Sequence, residues 1–437
     1  MAITLLKEKA ILSDQGYFEI VQARKRLPIS LQETLNNAFA KIPVSFFPEV
    51  PGGKVIEIPG DASIADTVQI LSEHNILSAP IRNLDADDTT IWYDRYLGLV
   101  DYSTIILWVL ENADLAAVAL ATGSAVVTGM GVGAVSALGA LALGATGPAA
   151  VAGLTIGAVG AAVAGGIAVE KGIGKDASTA ASYLGDDFYK TILQEEPFKS
   201  TAIQTIVRSY RWTPFLPVQP NDSMLTVLLL LSKYRLRSVP VIEIDKPSVK
   251  NMITQSAVIQ GLAQCRGQDW FDTIARKSVS EMGLPFMSPD KVISVGGNEL
   301  VLEAFKCMHE KQIGGLPVVQ GPTKKIIGNI SIRDIQFLLL HRELFSKFRQ
   351  LTVLDFMRTV VSTIGSSFMM PPITCRSDTP LGDVIEVLAE KGIHRIHLVD
   401  EQDELCGVIT SRDVISCFVS EPENYCENHF ELLLKEL

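Results

Sequence analysis

The chain repeats itself, and that repetition constrains its fold more than any other feature. Four stretches, GDASIADTVQILSEHNILSAPI, PNDSMLTVLLLLSKYRLRSVPVI, GNELVLEAFKCMHEKQIGGLPVV and SDTPLGDVIEVLAEKGIHRIHLV, follow one pattern. Each opens on a polar capping group, continues with apolar residues three and four apart, and enters a short β-branched run. Asp61–Pro80, Asn221–Pro240, Asn298–Pro317 and Asp378–His397 are all separations of 19 residues. A short extended run precedes each opening, at 55–58, 215–218, 292–295 and 373–375, and a second strand and helix follow. The unit is therefore β–α–β–β–α, about 60 residues long, and the fold class is α+β. One such unit has too little core to stand alone, so neighbours are expected to pair.

The expected divisions are a leader at 1–50, repeats at 51–112, 183–263, 286–342 and 353–420, an insertion at 113–182, a connector at 264–285 and a tail at 421–437. In the leader, LQETLNNAFAKIP reads as an amphipathic helix packed against the first pair. Within the insertion, Leu115–Val169 holds 55 residues without a charge, 30 of them Ala or Gly. A packed Ala/Gly hairpin, a mobile insertion and a membrane contact are the three readings. The length admits two spans hinged at GATGPA, but Ala and Gly are weakly apolar. Aromatic and basic belts are also missing apart from Trp108 and Lys171, which makes membrane contact the least favoured of the three. GMGVG at 129–133 lacks the preceding strand and the following acid of a dinucleotide fingerprint, so its glycines read as packing notches.

Charge and motifs narrow the function. With 49 acidic and 38 basic side chains the formal net charge is −11, which argues against a nucleic-acid partner. The N-terminus has no uninterrupted apolar run of a secretory signal, and Ala2 excludes myristoylation. Six cysteines without a CxxC are too sparse for a disulfide scaffold or a structural zinc, and they fit a reducing compartment. His394 and His397, three apart on a predicted strand, point to opposite faces and make a poor metal pair. HExxH, GxSxG, the P-loop and the kinase HRD and DFG motifs are all missing, so neither catalysis nor a metal site is expected.

Two positions carry ligand chemistry. Asp334 and Asp413 each open a helix three residues after a hydroxyl, Ser331 and Thr410. One reading is helix capping, where a first-turn acid contributes about 0.3–1 kcal/mol. The other is that the carboxylate accepts both ribose hydroxyls of a nucleotide while the hydroxyl and helix N-terminus meet phosphate. Arg333, Arg412 and the pair His394-Arg395 stand close by in sequence and can supply phosphate donors, although an Arg near a helix start is often simply solvated.

Gly328-Asn329-Ile330-Ser331-Ile332-Arg333-Asp334 and Gly407-Val408-Ile409-Thr410-Ser411-Arg412-Asp413 resemble the signature of the cystathionine-β-synthase (CBS) domain. Four such units in one chain resemble the gamma regulatory subunit of the AMP-activated / sucrose-non-fermenting kinase family. NNAFAKIPVSFFP, the Ala/Gly insertion and GVITSRDVISCFVSEP resemble its plant form. The resemblance implies two intertwined CBS pairs in a disk. It implies a non-catalytic subunit that binds the catalytic alpha subunit and the beta scaffold, in cytoplasm and nucleus. No cofactor is required, and an adenine nucleotide (AMP, ADP or ATP) is the implied ligand. His394-Arg395 falls where animal and fungal gamma subunits place a phosphate-contacting His-Arg pair, and Thr374 matches their hydroxyl near the base. The first pair departs from the pattern. Asp101 and Thr104 stand at the hydroxyl and acid positions of repeat one, and Ala257 replaces the acid of repeat two. The second pair is therefore the expected nucleotide site. A free-standing or membrane-associated CBS nucleotide-binding module is the alternative.

Overall fold

The computed structural model describes residues 15–108 and 200–435, apart from short stretches within each. The Ala/Gly segment with its three readings lies outside the described residues, as does most of the second helix of the first repeat. The leader forms α1 (Gln15–Arg24) and α2 (Ile29–Phe39). Repeat one supplies β1 (Ile58–Pro59), α3 (Ile64–Glu73), β2 (Ser78–Arg82) and β3 (Tyr96–Asp101). A helix, α4 (Ile203–Ser209), precedes repeat two, which has α5 (Met224–Lys233), β4 (Ser238–Ile242), β5 (Val249–Thr254) and α6 (Gln255–Gln264). After α7 (Asp269–Ala275) in the connector, repeat three has β6 (Val295–Gly296), α8 (Val301–Glu310), β7 (Gly315–Gln320) and β8 (Lys325–Ser331). The chain then forms α9 (Val353–Ile364), which falls within the bounds expected for repeat four but packs into the core with repeat three through Val353 and Phe356. Repeat four has β9 (Thr374–Cys375), α10 (Leu381–Glu390), β10 (Arg395–Val399), β11 (Leu405–Thr410) and α11 (Ser411–Phe418), and α12 (Tyr425–Lys435) is the tail.

The 19-residue spacing reappears as one shared register. The first residue of each hairpin pairs with the last: Ser78 with Asp101, Ser238 with Thr254, Gly315 with Ser331 and Arg395 with Thr410. All four hairpins shift register at the same place, between Ile81 and Arg82, Val241 and Ile242, Val318 and Val319, and Leu398 and Val399. Such a bulge bends the strand and re-aims the side chains beyond it. A lead strand joins each hairpin in parallel, with Ile58 beside Ile81, Val295 beside Val318 and Thr374 beside His397. In repeat two a single bridge from Val218 to Val241 does the same.

A second recurring bridge clasps the start of each first helix. Ser63, Ser223, Leu300 and Pro380 pair antiparallel with Ala202, Pro43, Thr352 and Ser278. In repeat two the clasping segment therefore belongs to the leader. The leader thus packs on the first pair through repeat two, and beyond that expectation it also reaches repeat four: Phe18, Val21, Leu35 and Phe39 enter the core shared by repeats two and four. The physical reason is α5, whose Leu225 through Lys233 are all buried, so it needs apolar cover on every side.

The two large cores run across the pairs. One joins Leu228, Leu231 and Val258 of repeat two to Val384, Val414 and Phe418 of repeat four. The other joins Ile64, Leu71 and Ile81 of repeat one to Val301, Phe305 and Phe356 on the repeat-three side. Neighbours in sequence meet through their sheets instead. Tyr96 stacks on Phe215 at 4.3 Å, and Glu57 accepts from the Tyr96 hydroxyl (2.9 Å) and Val249 N–H (2.7 Å). Between repeats three and four, Ile326 N–H donates to Asp403 and Leu405 N–H to Lys324, both at 3.1 Å. Helices thus tie the pairs together while strands tie the members of a pair, and a cavity remains where all four strand ends converge. No helix among the described residues is long and apolar enough to cross a membrane.

Candidate anion-binding site between the repeats

The shared register aims the same position of every repeat at one place. The cavity there has a volume of about 1110 Å³, somewhat above the usual range for a single ligand site. Arg395 opens β10, and Gly314-Gly315 occupies the equivalent position of repeat three. A Cβ on Gly314 would lie 2.6 Å from Arg395 Nη2, and one on Gly315 would lie closer still to Nη1. Repeat three therefore gives up its own side chains there to let Arg395 cross into its half of the cavity. Repeat two contributes Arg237, whose Nη2 would lie 3.6 Å from that same Gly314 Cβ.

Three guanidiniums, Arg237, Arg333 and Arg395, thus converge from three repeats. Arg395 lies beside Arg237, Asp334 and Arg333, and desolvation followed by the Arg237 charge pushes its pKa down to about 10, still a cation at neutral pH. Desolvation also lowers Arg237 and Arg333, and Asp101 opposes the shift at both. His394 is pushed down to about 3 by burial and then by the three guanidiniums, so it is neutral. Its Nδ1 lies 3.3 Å from Ser256 Oγ. Arg237, Arg395, Asp334 and His394 keep some accessible surface and Arg333 is exposed, but all five line the cavity and protein surrounds them closely. Their surface opens inward, which is why desolvation dominates despite it.

The two acids sit differently. Asp334 Oδ2 accepts from Ser331 N–H at 2.6 Å, and desolvation raises its pKa to about 6 against the pull of Arg395 and Arg333. Asp413 is 5% exposed and closes a capping box with Thr410, whose N–H and hydroxyl reach Oδ2 at 2.7 and 2.6 Å. Its Oδ1 accepts from the hydroxyl of Tyr17. Arg412 does not point at the guanidinium cluster. Its Nε and Nη2 donate to the carbonyls of Ser232 (2.8 Å) and Lys233 (3.1 Å), and its plane covers the Tyr17 ring at 4.1 Å.

Eight of the nine sequence candidates line the cavity: Ser331, Arg333, Asp334, His394, Arg395, Thr410, Arg412 and Asp413. Thr374 does not. It is exposed on the two-residue β9, and its neighbour Ile373 lines the cavity instead, because alternate residues of an extended chain face opposite ways. His397 also lines the cavity, but it is 1% exposed and its Nε2 bonds Asn329 Oδ1 at 3.1 Å, tying strand to strand. The repeat-one substitution is a reversed cap, in which Asp101 accepts from Thr104 N–H and hydroxyl, both at 3.0 Å. Sequence reasoning missed Tyr17 and the Gly314-Gly315 gap. The glycines had a signal, since the matching pairs are Leu77-Ser78, Arg237-Ser238 and His394-Arg395. Tyr17 lies outside the repeats and had none.

Comparison with known proteins agrees with this architecture. The CBS domain family matches residues 207–264, 279–341 and 361–420, which overlap the second, third and fourth repeats and take in the end of the connector. Over 98% of its length the chain is 59% identical to the SNF1-related protein kinase regulatory subunit gamma-1-like of Arabidopsis thaliana, covering 97% of that protein. It is 35% identical to the SNF1-related protein kinase regulatory subunit gamma-1 of the same plant, over 92% of this chain and 88% of that one. The human 5'-AMP-activated protein kinase subunit gamma-3 is 22% identical over 48% of this chain and 41% of its own length. With identity this high over nearly the whole of both chains, the protein belongs to the SNF1-related protein kinase gamma regulatory subunits, a family built on CBS repeats.

Proposed function

We propose that the chain acts as a non-catalytic gamma subunit that holds the phosphates of an adenine nucleotide in the Arg237–Arg333–Arg395 cluster and docks a kinase catalytic subunit and a beta scaffold. The observation that carries the ligand half is the convergence of three guanidiniums from three repeats in one cavity, with Asp334 beside Arg395. An Arg fork suits phosphate oxygens, and a neutral His394 adds a donor without adding repulsion. Asp334, able to accept from a ribose, supplies the second half of nucleotide recognition. The adenine itself comes from kinship with proteins named for activation by 5'-AMP. The same kinship supports the kinase partners, and a place in cytoplasm and nucleus is part of the proposal. A bound nucleotide would regulate the kinase only through different affinity for its active and inactive assemblies.

Native mass spectrometry of the purified full chain, followed by calorimetric titration with AMP and adenosine, tests the reading. Retained or added nucleotide should bind, and adenosine should bind far more weakly. Equal affinity for AMP and adenosine, or no binding of either, removes the phosphate role of the cluster. Pull-down of the catalytic and beta subunits by the chain tests the partner half independently.

A further inference from the structure

A residue from outside the repeats sits in one of the two acid-bearing half-sites. Tyr17, in the first turn of α1, lines the cavity beside Asp413. Its hydroxyl donates to Asp413 Oδ1, the oxygen that the Thr410 contacts on Oδ2 leave over. Arg412 covers the phenol ring and is itself held by two carbonyls of the α5 end. Burial, with Asp413 alongside, holds the phenol well above its ordinary pKa, so it stays a donor. The rest of α1 is anchored separately. Lys25 Nζ donates to Val419 O at 2.5 Å, Arg24 Nη1 donates to Phe286 O at 2.7 Å, and Phe18 and Val21 are buried. These contacts hold the helix from Phe18 onward, so only the helix end up to Tyr17 has to shift for the phenol to leave Asp413. No phenol reaches Asp334 among the described residues.

We propose that α1 is a built-in occupant of the fourth-repeat half-site, and that Tyr17 and a nucleoside bearing free 2′ and 3′ hydroxyls exclude each other at Asp413. The inference rests on the nucleotide reading above. One acceptor oxygen is contested by two kinds of hydroxyl donor, and the Arg412 plane under the phenol is a surface on which an aromatic base can stack once the ring has left. The first nucleotide goes to the Asp334 half-site. Entry of a second at Asp413 displaces the Tyr17 side chain and the helix end ahead of Phe18, which makes the leader the moving part of the sensor.

The test compares the wild-type full chain with Tyr17→Phe and Tyr17→Ala by native mass spectrometry and calorimetry with AMP. The wild type should load one AMP first, and both variants should take the second about tenfold more tightly, the scale of one charge-assisted hydrogen bond. Inorganic phosphate and the 2′,3′-dideoxy analogue of AMP should show no such gain, because neither offers a diol. In the wild type, hydrogen exchange across residues 15–24 should rise when AMP reaches the second site and stay unchanged with phosphate. Tyr17→Phe keeps the ring and loses only the donor, so a folding defect in the Ala variant does not blur the outcome. If both variants bind AMP with wild-type copy number and affinity, and that binding still depends on Arg395, the leader proposal falls alone. If neither wild type nor Tyr17→Phe binds AMP at all, the nucleotide reading falls and takes this one with it.

Discussion

Repeats three and four carry the same Ser/Thr-x-x-Asp signature in the same register, yet their acids live in different surroundings. Asp334 lies beside Arg395 and Arg333, and desolvation raises its pKa to about 6. Asp413 has its oxygens engaged by Thr410 and by Tyr17 of the leader. The difference does not come from the motif. It comes from what each neighbour delivers: repeat four sends Arg395 into the half-site of repeat three, where glycines leave room, while the leader sends Tyr17 into the half-site of repeat four. A shared motif fixes where a carboxylate stands. Its partners decide what that carboxylate does.

The largest expected effect sharpens this comparison at its crossing point. Arg395→Gln should weaken AMP binding by about 10- to 150-fold, the range of a charge-assisted contact of about 1.5–3 kcal/mol, and leave adenosine nearly unaffected. Calorimetry with both ligands reads the contrast, and an equal loss for the two would make Arg395 structural. Gly315→Ala attacks the same crossing from the other side, since the new methyl would collide with Arg395 and lie 2.7 Å from the Ile330 carbonyl. Overpacking of this kind costs about 1–3 kcal/mol, visible as a lower urea midpoint together with weaker AMP binding. An unchanged midpoint would show that Arg395 has somewhere else to go.

A smaller effect separates the two acids by pH. Asp334 has a folded pKa of about 6, above its ordinary 3.8, so the folded chain binds more protons than the unfolded one between these values. Stability should therefore fall as pH rises from about 4 to 6, and the penalty is full above 6. The carboxyl keeps some accessible surface, so the penalty is discounted to about 1–2 kcal/mol. Asp334→Asn should flatten that slope in urea melts taken across the window, and a slope that persists would place the proton elsewhere. The smallest expected effect is Thr374→Val, which should change stability by less than about 0.5 kcal/mol and leave AMP titration unaltered, because the side chain is exposed away from the cavity. A clear loss of affinity would restore Thr374 to the site.

Much of the fold was legible because its signals are local. The helix period, the β-branched runs and the caps recur at one spacing, and each of the three can be read within a single 20-residue window. The partition of the core was not legible. Leu228 and Val384 read alike as buried helix positions, and nothing in either stretch says that they share one core across the pairs while strands join the pair members. The site divides the same way. Asp334, Asp413, Arg333 and Arg395 stand out by residue type and spacing, whereas Arg412 reads as a phosphate donor and is instead bound to the carbonyls of Ser232 and Lys233.

By itself the sequence determined the repeated unit, its register, the helix-start acids and the basic residues near them, because each depends on side chains a few positions apart. The tertiary structure alone decided which of these groups face one another. Arg237, Arg333 and Arg395 come from three different repeats, and Tyr17 lies 396 residues from Asp413. Contacts over such separations are set by how whole helices and sheets bury their apolar faces, and the polar groups meet wherever that packing carries them.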